Sequence, residues 1–196
     1  STGTITNGVS GTSYTVRYTT NGSCPASLTQ DVTVIPVDDA SFTITATCDG
    51  GISAVSGTPN GVFSFDSVPS DGAIIDTSSG VISNGLPGTT YTIRYTTVGD
   101  CPATDVQSVT VLPSDDSSFS LNPTCDGGTA NVSGTSGGVF SFDPDPMDGA
   151  VIDSSTGTVT NGVSGAVYTI RYTTQGVCPV SETQVLAVLV ADDSSF

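Results

Sequence analysis

Lysine, histidine and tryptophan are absent from this 196-residue chain, and three arginines are its only cationic side chains. Acid–base and nucleophilic catalysis usually draw on His or Lys, so their absence removes most enzymatic readings. It also excludes the Lys–Asn isopeptide staples familiar in other surface repeats. Without His, and without a CxxC pair, the five cysteines point to disulfides in an oxidising compartment rather than to zinc. Nineteen acids, all Asp except Glu182, give a formal charge of -16 and disfavour nucleic acid and anionic membrane as partners. No signal peptide, polybasic segment or transmembrane run is present, so no membrane insertion is expected of this segment. One acid pair, Asp143 and Asp145, has the residue types for glycoside hydrolysis. No aromatic-lined cleft accompanies it, and the chain is expected not to be an enzyme.

What the sequence does contain is a repeat. The string Tyr91-Thr92-Ile93-Arg94-Tyr95-Thr96-Thr97, followed at a fixed spacing by Cys101-Pro102, recurs 77 residues upstream from Tyr14 and 77 residues downstream from Tyr168. Alternation of Tyr, Ile and Tyr with Thr and Arg has period 2, which predicts a half-buried β-strand in each copy. After it, Thr20-Asn21-Gly22-Ser23 predicts a two-residue hairpin turn with positive φ. The period divides the chain into residues 1–37 (the back half of a repeat), 38–114 and 115–190 (complete repeats), and 191–196 (the start of another). The chain is therefore expected to be a window on a longer array. A unit of this size buries a modest core, so stacking on neighbours is expected to help it.

Within the unit, Phe42, Ile44, Ala46 and Cys48 share one face of a first strand, and Asp49-Gly50-Gly51 ends it. A second strand runs from Ile52 to Ser56, with Val55 and its counterpart Val132 as core candidates. Phe63 and Phe65, matched by Phe140 and Phe142, mark a third. Residues 72–76 and 81–83 read as a hairpin closed by Thr77-Ser78-Ser79-Gly80. The Tyr91 strand follows, and Val106 to Leu112 returns with Val109 and Val111 facing inward. Seven short strands without a helical period predict an all-β fold of tandem immunoglobulin-like antiparallel β-sandwiches.

Three segments in combination resemble the immunoglobulin-like tandem repeats of giant surface proteins and adhesins in Bacteroidota-type bacteria. They are residues 55–65 (VSGTPNGVFSF), 75–82 (IDTSSGVI) and 88–97 (GTTYTIRYTT) ending at Cys101-Pro102. The resemblance implies export to the cell surface by a bacterial outer-membrane route, commonly type IX, and a role in adhesion, gliding or surface filaments. It implies no chemistry. It also makes Asp66-Ser67-Val68 a match to the short O-glycosylation pattern of that group, with Ser67 as acceptor, although the counterpart Asp143-Pro144-Asp145 departs from it.

Four further expectations concern particular residues. The acid pairs at the joints, Asp38, Asp39, Asp115 and Asp116, are of a type that suits calcium, which takes several carboxylate and carbonyl oxygens from flexible loops. The competing reading is a solvated linker. Arg17, Arg94 and Arg171 sit on the strand face opposite the tyrosines and are expected to pair with an Asp of their own repeat. For the cysteines, one bridge per repeat, Cys48–Cys101 and Cys125–Cys178, is the first expectation, with Cys24 pairing outside the window. An inter-repeat Cys48–Cys178 bridge is the main alternative, and Cys24–Cys48 a third. Strand order favours the alternative, since a six-residue strand spans roughly 20 Å while bridged Cα atoms lie within about 7 Å. The function expected is a structural or adhesive rod, stalk or filament segment whose partners are neighbouring repeats. The alternatives are a module that itself binds surface glycans or other cells, and a passive stalk for a distal enzyme.

Overall fold

The computed structural model describes residues 3–192, and every regular element among them is a β-strand. The chain forms two compact units, residues 1–111 and 112–196. The last four residues of the repeat start expected at 191–196 lie outside the described residues.

The first unit opens with a two-stranded antiparallel hairpin, β1 (Ser13–Thr19) and β2 (Ser27–Thr33). Seven strands follow: β3 (Phe42–Ala46), β4 (Gly51–Val55), β5 (Val62–Phe65), β6 (Ile74–Ile75), β7 (Ile82–Ser83), β8 (Thr90–Thr96) and β9 (Thr104–Thr110). They form one sheet in the order β3-β4-β7-β6 and another in the order β5-β8-β9. This four-plus-three division is the arrangement of a constant-type immunoglobulin sandwich. The second unit repeats it with β10 (Phe119–Thr124), β11 (Gly127–Val132), β12 (Val139–Phe142), β13 (Val151–Ile152), β14 (Val159–Thr160), β15 (Val167–Thr173) and β16 (Ser181–Ala187). Tyr91 opens β8 with its Oη accepting the Leu86 N–H at 2.9 Å, as in the tyrosine corner of such folds. Tyr168 does the same with the Val163 N–H at 2.8 Å.

Alternation along β8 places Tyr91, Ile93 and Tyr95 in the core, and Val109 and Val111 meet them from the returning chain. Phe42, Phe63 and Tyr95 form an aromatic cluster with ring centroids 4.6–6.0 Å apart. Phe119, Phe140 and Tyr172 reproduce it.

Three local expectations are corrected. Val55 is more than a third exposed because, although it shares the face of Gly51 and Ser53, it ends β4 at the rim of the sheet, whereas its counterpart Val132 is half-buried against the second core. Cys48 is exposed in the bend after β3 rather than inward at its end. The link from β1 to β2 is a seven-residue segment, 20–26, and neither Asn21 nor Gly22 has positive φ. Hydroxyl bonding holds that link open: Ala26 N–H donates to Thr20 Oγ1, as Ala103 N–H does to Thr97 Oγ1 and Val180 N–H to Thr174 Oγ1.

Candidate functional site

The polar side chains of each sandwich are spent on one another, and on the same partners in both repeats. Arg94 reaches from the outer face of β8 to Asp66, just past β5, and Arg171 pairs with Asp143. Both pairs are about 40% exposed, so each contributes little stability on its own. Their uniform placement nonetheless ties the third strand to the Tyr strand, as expected of these arginines. Arg17 differs, and hydrogen-bonds only Ser27 Oγ at 3.0 Å among the described residues.

A second set of acids closes loops. Tyr91 Oη donates to Asp71 at 2.6 Å and Tyr168 Oη to Asp148 at 2.7 Å. Burial raises both tyrosine pKa values, with the Asp bond adding to it at each. The Tyr bond is also the first cause of the lowered pKa of each Asp. In the turn between β6 and β7, Asp76 Oδ1 accepts the N–H and hydroxyl groups of both Ser78 and Ser79. Asp153 takes the N–H and hydroxyl of Ser155 and the N–H of Thr156.

These bonds hold Asp76 well below the ordinary carboxylate range, first through the Ser78 hydroxyl, and lower Asp153 from 3.8 to about 2, first through the Ser155 hydroxyl. A carboxylate depressed in the folded state contributes stability above its unfolded pKa and loses it as pH falls through the folded one. Stability is therefore expected to fall between about pH 4 and pH 2, with Asp76→Asn and Asp153→Asn flattening that slope. Denaturant titrations at pH 5, 3 and 2 check it, and an unchanged slope in the double variant would refute the assignment.

The joint acids are hydrogen-bonded within their own sandwich. Asp38 accepts the Gly99 N–H at 3.0 Å and Asp115 the Gly176 N–H at 2.8 Å. Asp39 takes the Ser41 N–H at 2.9 Å and its hydroxyl at 2.5 Å, and Asp116 the same groups of Ser118. Those serine bonds lower the pKa of Asp39 and Asp116. Among the described residues no three His, Cys, Asp or Glu side chains assemble into a group that could hold a metal. The carboxylates that calcium would need already accept N–H groups of their own sandwich. Chelation is accordingly expected to leave the thermal transition within about 1 °C. A drop of several degrees on adding chelator, restored by calcium, would show ligand linkage instead.

Asp143 and Asp145 each have a partner within the repeat. Asp143 is committed to Arg171, and Asp145 Oδ1 accepts the Met147 N–H at 3.1 Å. Ser67 is exposed beside Asp66, so a modifying enzyme could reach it. The within-repeat bridges expected first are not formed: Cys101 and Cys125 carry free thiols, as does Cys24. The fold gives the reason. Cys101 lies at the end where its carbonyl accepts the Asp38 N–H, whereas Cys48 follows β3 at the opposite end, beside Asp49, whose carbonyl accepts the Gly85 N–H. Cys48 and Cys178 are each disulfide-bonded. The Tyr–Asp and Asp–Ser bonds were not foreseen. Spacings repeated in both copies, such as Asp71 to Tyr91 and Asp148 to Tyr168, were the available signal.

No family model matches the chain, and no curated protein does. Among solved structures it is similar to protocadherin gamma B2 extracellular cadherin domains 3–6, at 15% identity and a TM-score of 0.32 over 92% of this chain and 60% of that one. It is also similar to mouse cadherin-23 EC22–24, at 17% identity and a TM-score of 0.29 over 92% of this chain and 74% of that one. A third is mouse clustered PcdhgC3 EC1–3, at 11% identity, a TM-score of 0.29 and coverage of 92% and 77%. The chain thus spans less than two thirds of the first of these structures.

Proposed function

We propose that this chain is a structural segment of an extracellular array of immunoglobulin-like repeats, bounded at 38–114 and 115–190, that serves as a rod or stalk in surface adhesion. The observation that carries the reading is the commitment of polar side chains to internal ties at the same offsets in both repeats. Arg94 with Asp66, Tyr91 with Asp71 and Asp76 with Ser78 recur as Arg171 with Asp143, Tyr168 with Asp148 and Asp153 with Ser155. Such ties hold a sandwich together and leave few polar groups converging on a ligand. Disulfide-bonded cysteines support an oxidising, extracellular setting. The resemblance to Bacteroidota-type surface repeats supports a bacterial origin and outer-membrane export. A glycan array probed with the chain tests the role. Reproducible sugar binding would replace the rod by a binding module, and its absence together with ordered polymers of the chain would support assembly.

The cysteines extend this reading. A staple from Cys48 of one repeat to Cys178 of the next would cross-link consecutive sandwiches rather than close each one. It is supported by the opposite ends that Cys48 and Cys101 occupy within one sandwich, and by the free thiols of Cys101 and Cys125. In a continuous array, Cys101 would pair with the first-strand cysteine of the repeat before it, and Cys125 with the last-strand cysteine of the repeat after it. Non-reducing peptide mapping of the chain is expected to return a Cys48–Cys178 linked peptide that disappears on reduction. A Cys48–Cys101 peptide would overturn the staple.

A further inference from the structure

Two strands, β3 in the first sandwich and β16 in the second, are placed to carry load. β3 is an edge of the sheet ordered β3-β4-β7-β6, and β16 an edge of the sheet ordered β12-β15-β16. Neither carries a bulge. β3 pairs with β4 without a break from Phe42↔Val55 to Ala46↔Gly51, and β16 pairs with β15 from Thr173↔Ser181 to Val167↔Ala187. Unbroken strands are close to full extension, at about 3.2–3.4 Å per residue against a limit of about 3.3–3.6 Å.

Each strand also runs from one end of its own sandwich to the other. The Asp38 N–H donates to the Cys101 carbonyl, shortly before β9 begins, whereas the Gly85 N–H donates to the Asp49 carbonyl and the Gly88 N–H to the Val111 carbonyl, just past the end of β9. β3 therefore enters where β9 starts and delivers Cys48 to the end where β9 finishes. In the second sandwich the Asp115 N–H donates to the Cys178 carbonyl, and the Leu189 N–H donates to the Thr124 carbonyl at the end of β10. β16 therefore leads from Cys178 across the length of that sandwich. Phe42 is 3% exposed, and Leu186 and Val188 are 1% and 3% exposed, so each strand is keyed into its own core.

We propose that this chain bears tension along a covalent line made of residues 38–48, a Cys48–Cys178 bridge and residues 178–190, with residues 49–177 outside the line. The line rests on the staple inferred above and goes beyond it by assigning the load to two particular strands. Its residues, about 24 in all, span roughly 80 Å at the strand rise. The segment outside it, about 130 residues, spans roughly 450 Å when drawn out. Pulling on the line does no work on that segment, because unfolding it adds no length between the two ends. β3 and β16 have little length to give either, since both are already extended. Load therefore bypasses the paired strands β5 and β8 and the aromatic clusters, and the sandwiches act as keys that keep the two strands extended.

Single-molecule force–extension tests this, with DNA handles clicked to azide-bearing residues in place of Val37 and Val190, which are 62% and 75% exposed. Under oxidising conditions the chain is expected to lengthen by less than about 20 Å across a force ramp, which is all that two near-extended strands allow. With a thiol reductant, or as Cys48→Ser, the same ramp is expected to add roughly 450 Å as the sandwiches unfold. A chain whose Cys48–Cys178 peptide is confirmed by mapping, but which lengthens by more than about 40 Å, overturns the load line and leaves the staple standing. Equal lengthening of the stapled chain and Cys48→Ser overturns the line as well. Absence of the Cys48–Cys178 peptide overturns the staple and the line together.

Discussion

Tyr95→Ala is expected to cost its repeat most of its stability. The ring is 1% exposed, 4.6 Å from Phe63 and 6.0 Å from Phe42, and its hydroxyl serves both the Thr58 carbonyl and the Gly61 N–H at 2.8 Å. Truncating a buried aromatic side chain costs about 3–5 kcal/mol. Leaving a buried N–H without its acceptor adds roughly 1–3 kcal/mol. A small domain is stabilised by only about 5–15 kcal/mol in total, and a unit of this size lies near the low end. With each kcal/mol worth about 4–8 °C in such a domain, the midpoint should fall by at least about 12 °C. Tyr95→Phe separates the two contributions, since it keeps the ring and loses only the hydroxyl, and should cost about 1–3 kcal/mol. Denaturant unfolding of both variants measures the difference. Equal losses, or a loss under about 1 kcal/mol for Tyr95→Ala, would show that the cluster is not what holds the sandwich together.

Gly50→Ala is the second substitution expected to be severe, although it adds a single methyl group. Gly50 has φ of 154°, and a Cβ there would lie 2.3 Å from the Ile82 carbonyl oxygen. Gly127 repeats the arrangement, with φ of 146° and a Cβ 2.2 Å from the Val159 oxygen. A non-glycine residue held in this region costs about 1–3 kcal/mol. The clash is with backbone rather than with a side chain that can turn away, and overpacking of that kind adds about 1–3 kcal/mol. The strand affected, β4, meets β7 through the single pair Gly51↔Ile82, so there is little ladder to absorb a shift. Gly72→Ala is the comparison, because Gly72 also has positive φ, at 93°, but a Cβ there would meet nothing within 4 Å. Gly50→Ala should therefore exceed Gly72→Ala by more than about 1 kcal/mol in denaturant unfolding. Equal losses would mean that backbone strain alone, and not the close approach of β7, sets the need for glycine.

Most of the architecture could be read from the chain because the signals that specify it are local and periodic. Strict alternation in Tyr91–Thr97 dictates which side chains face inward, and Phe63 and Phe65 do the same for the third strand. The hairpin of β6 and β7 followed from Thr77-Ser78-Ser79-Gly80, and its Asp76 cap follows from the tendency of Asp to bond N–H groups two and three residues on. Errors arose where local preference competes with packing. Val55 has strand propensity, yet it ends its strand at the rim, while Gly51 and Ser53 face the core. Asn21-Gly22 reads as a tight turn, but the Thr20 hydroxyl and the Ala26 N–H set a wider link.

The chain by itself determined the all-β class, the 77-residue period, the inward Tyr and Phe positions and the pairing of Arg94 and Arg171 with an acid of their own repeat, because each depends on residue type at short spacing. Which Asp that is, 28 residues away in both repeats, was decided only when β5 and β8 were set side by side. Tertiary structure alone likewise made the joint acids acceptors for Gly99, Gly176, Ser41 and Ser118, and placed Cys48 and Cys101 at opposite ends of one sandwich. The physical reason is the same in each case. A carboxylate or a thiol has no orientation in sequence, and its partner is chosen by the strand order and register that bring distant segments within hydrogen-bonding or bridging distance.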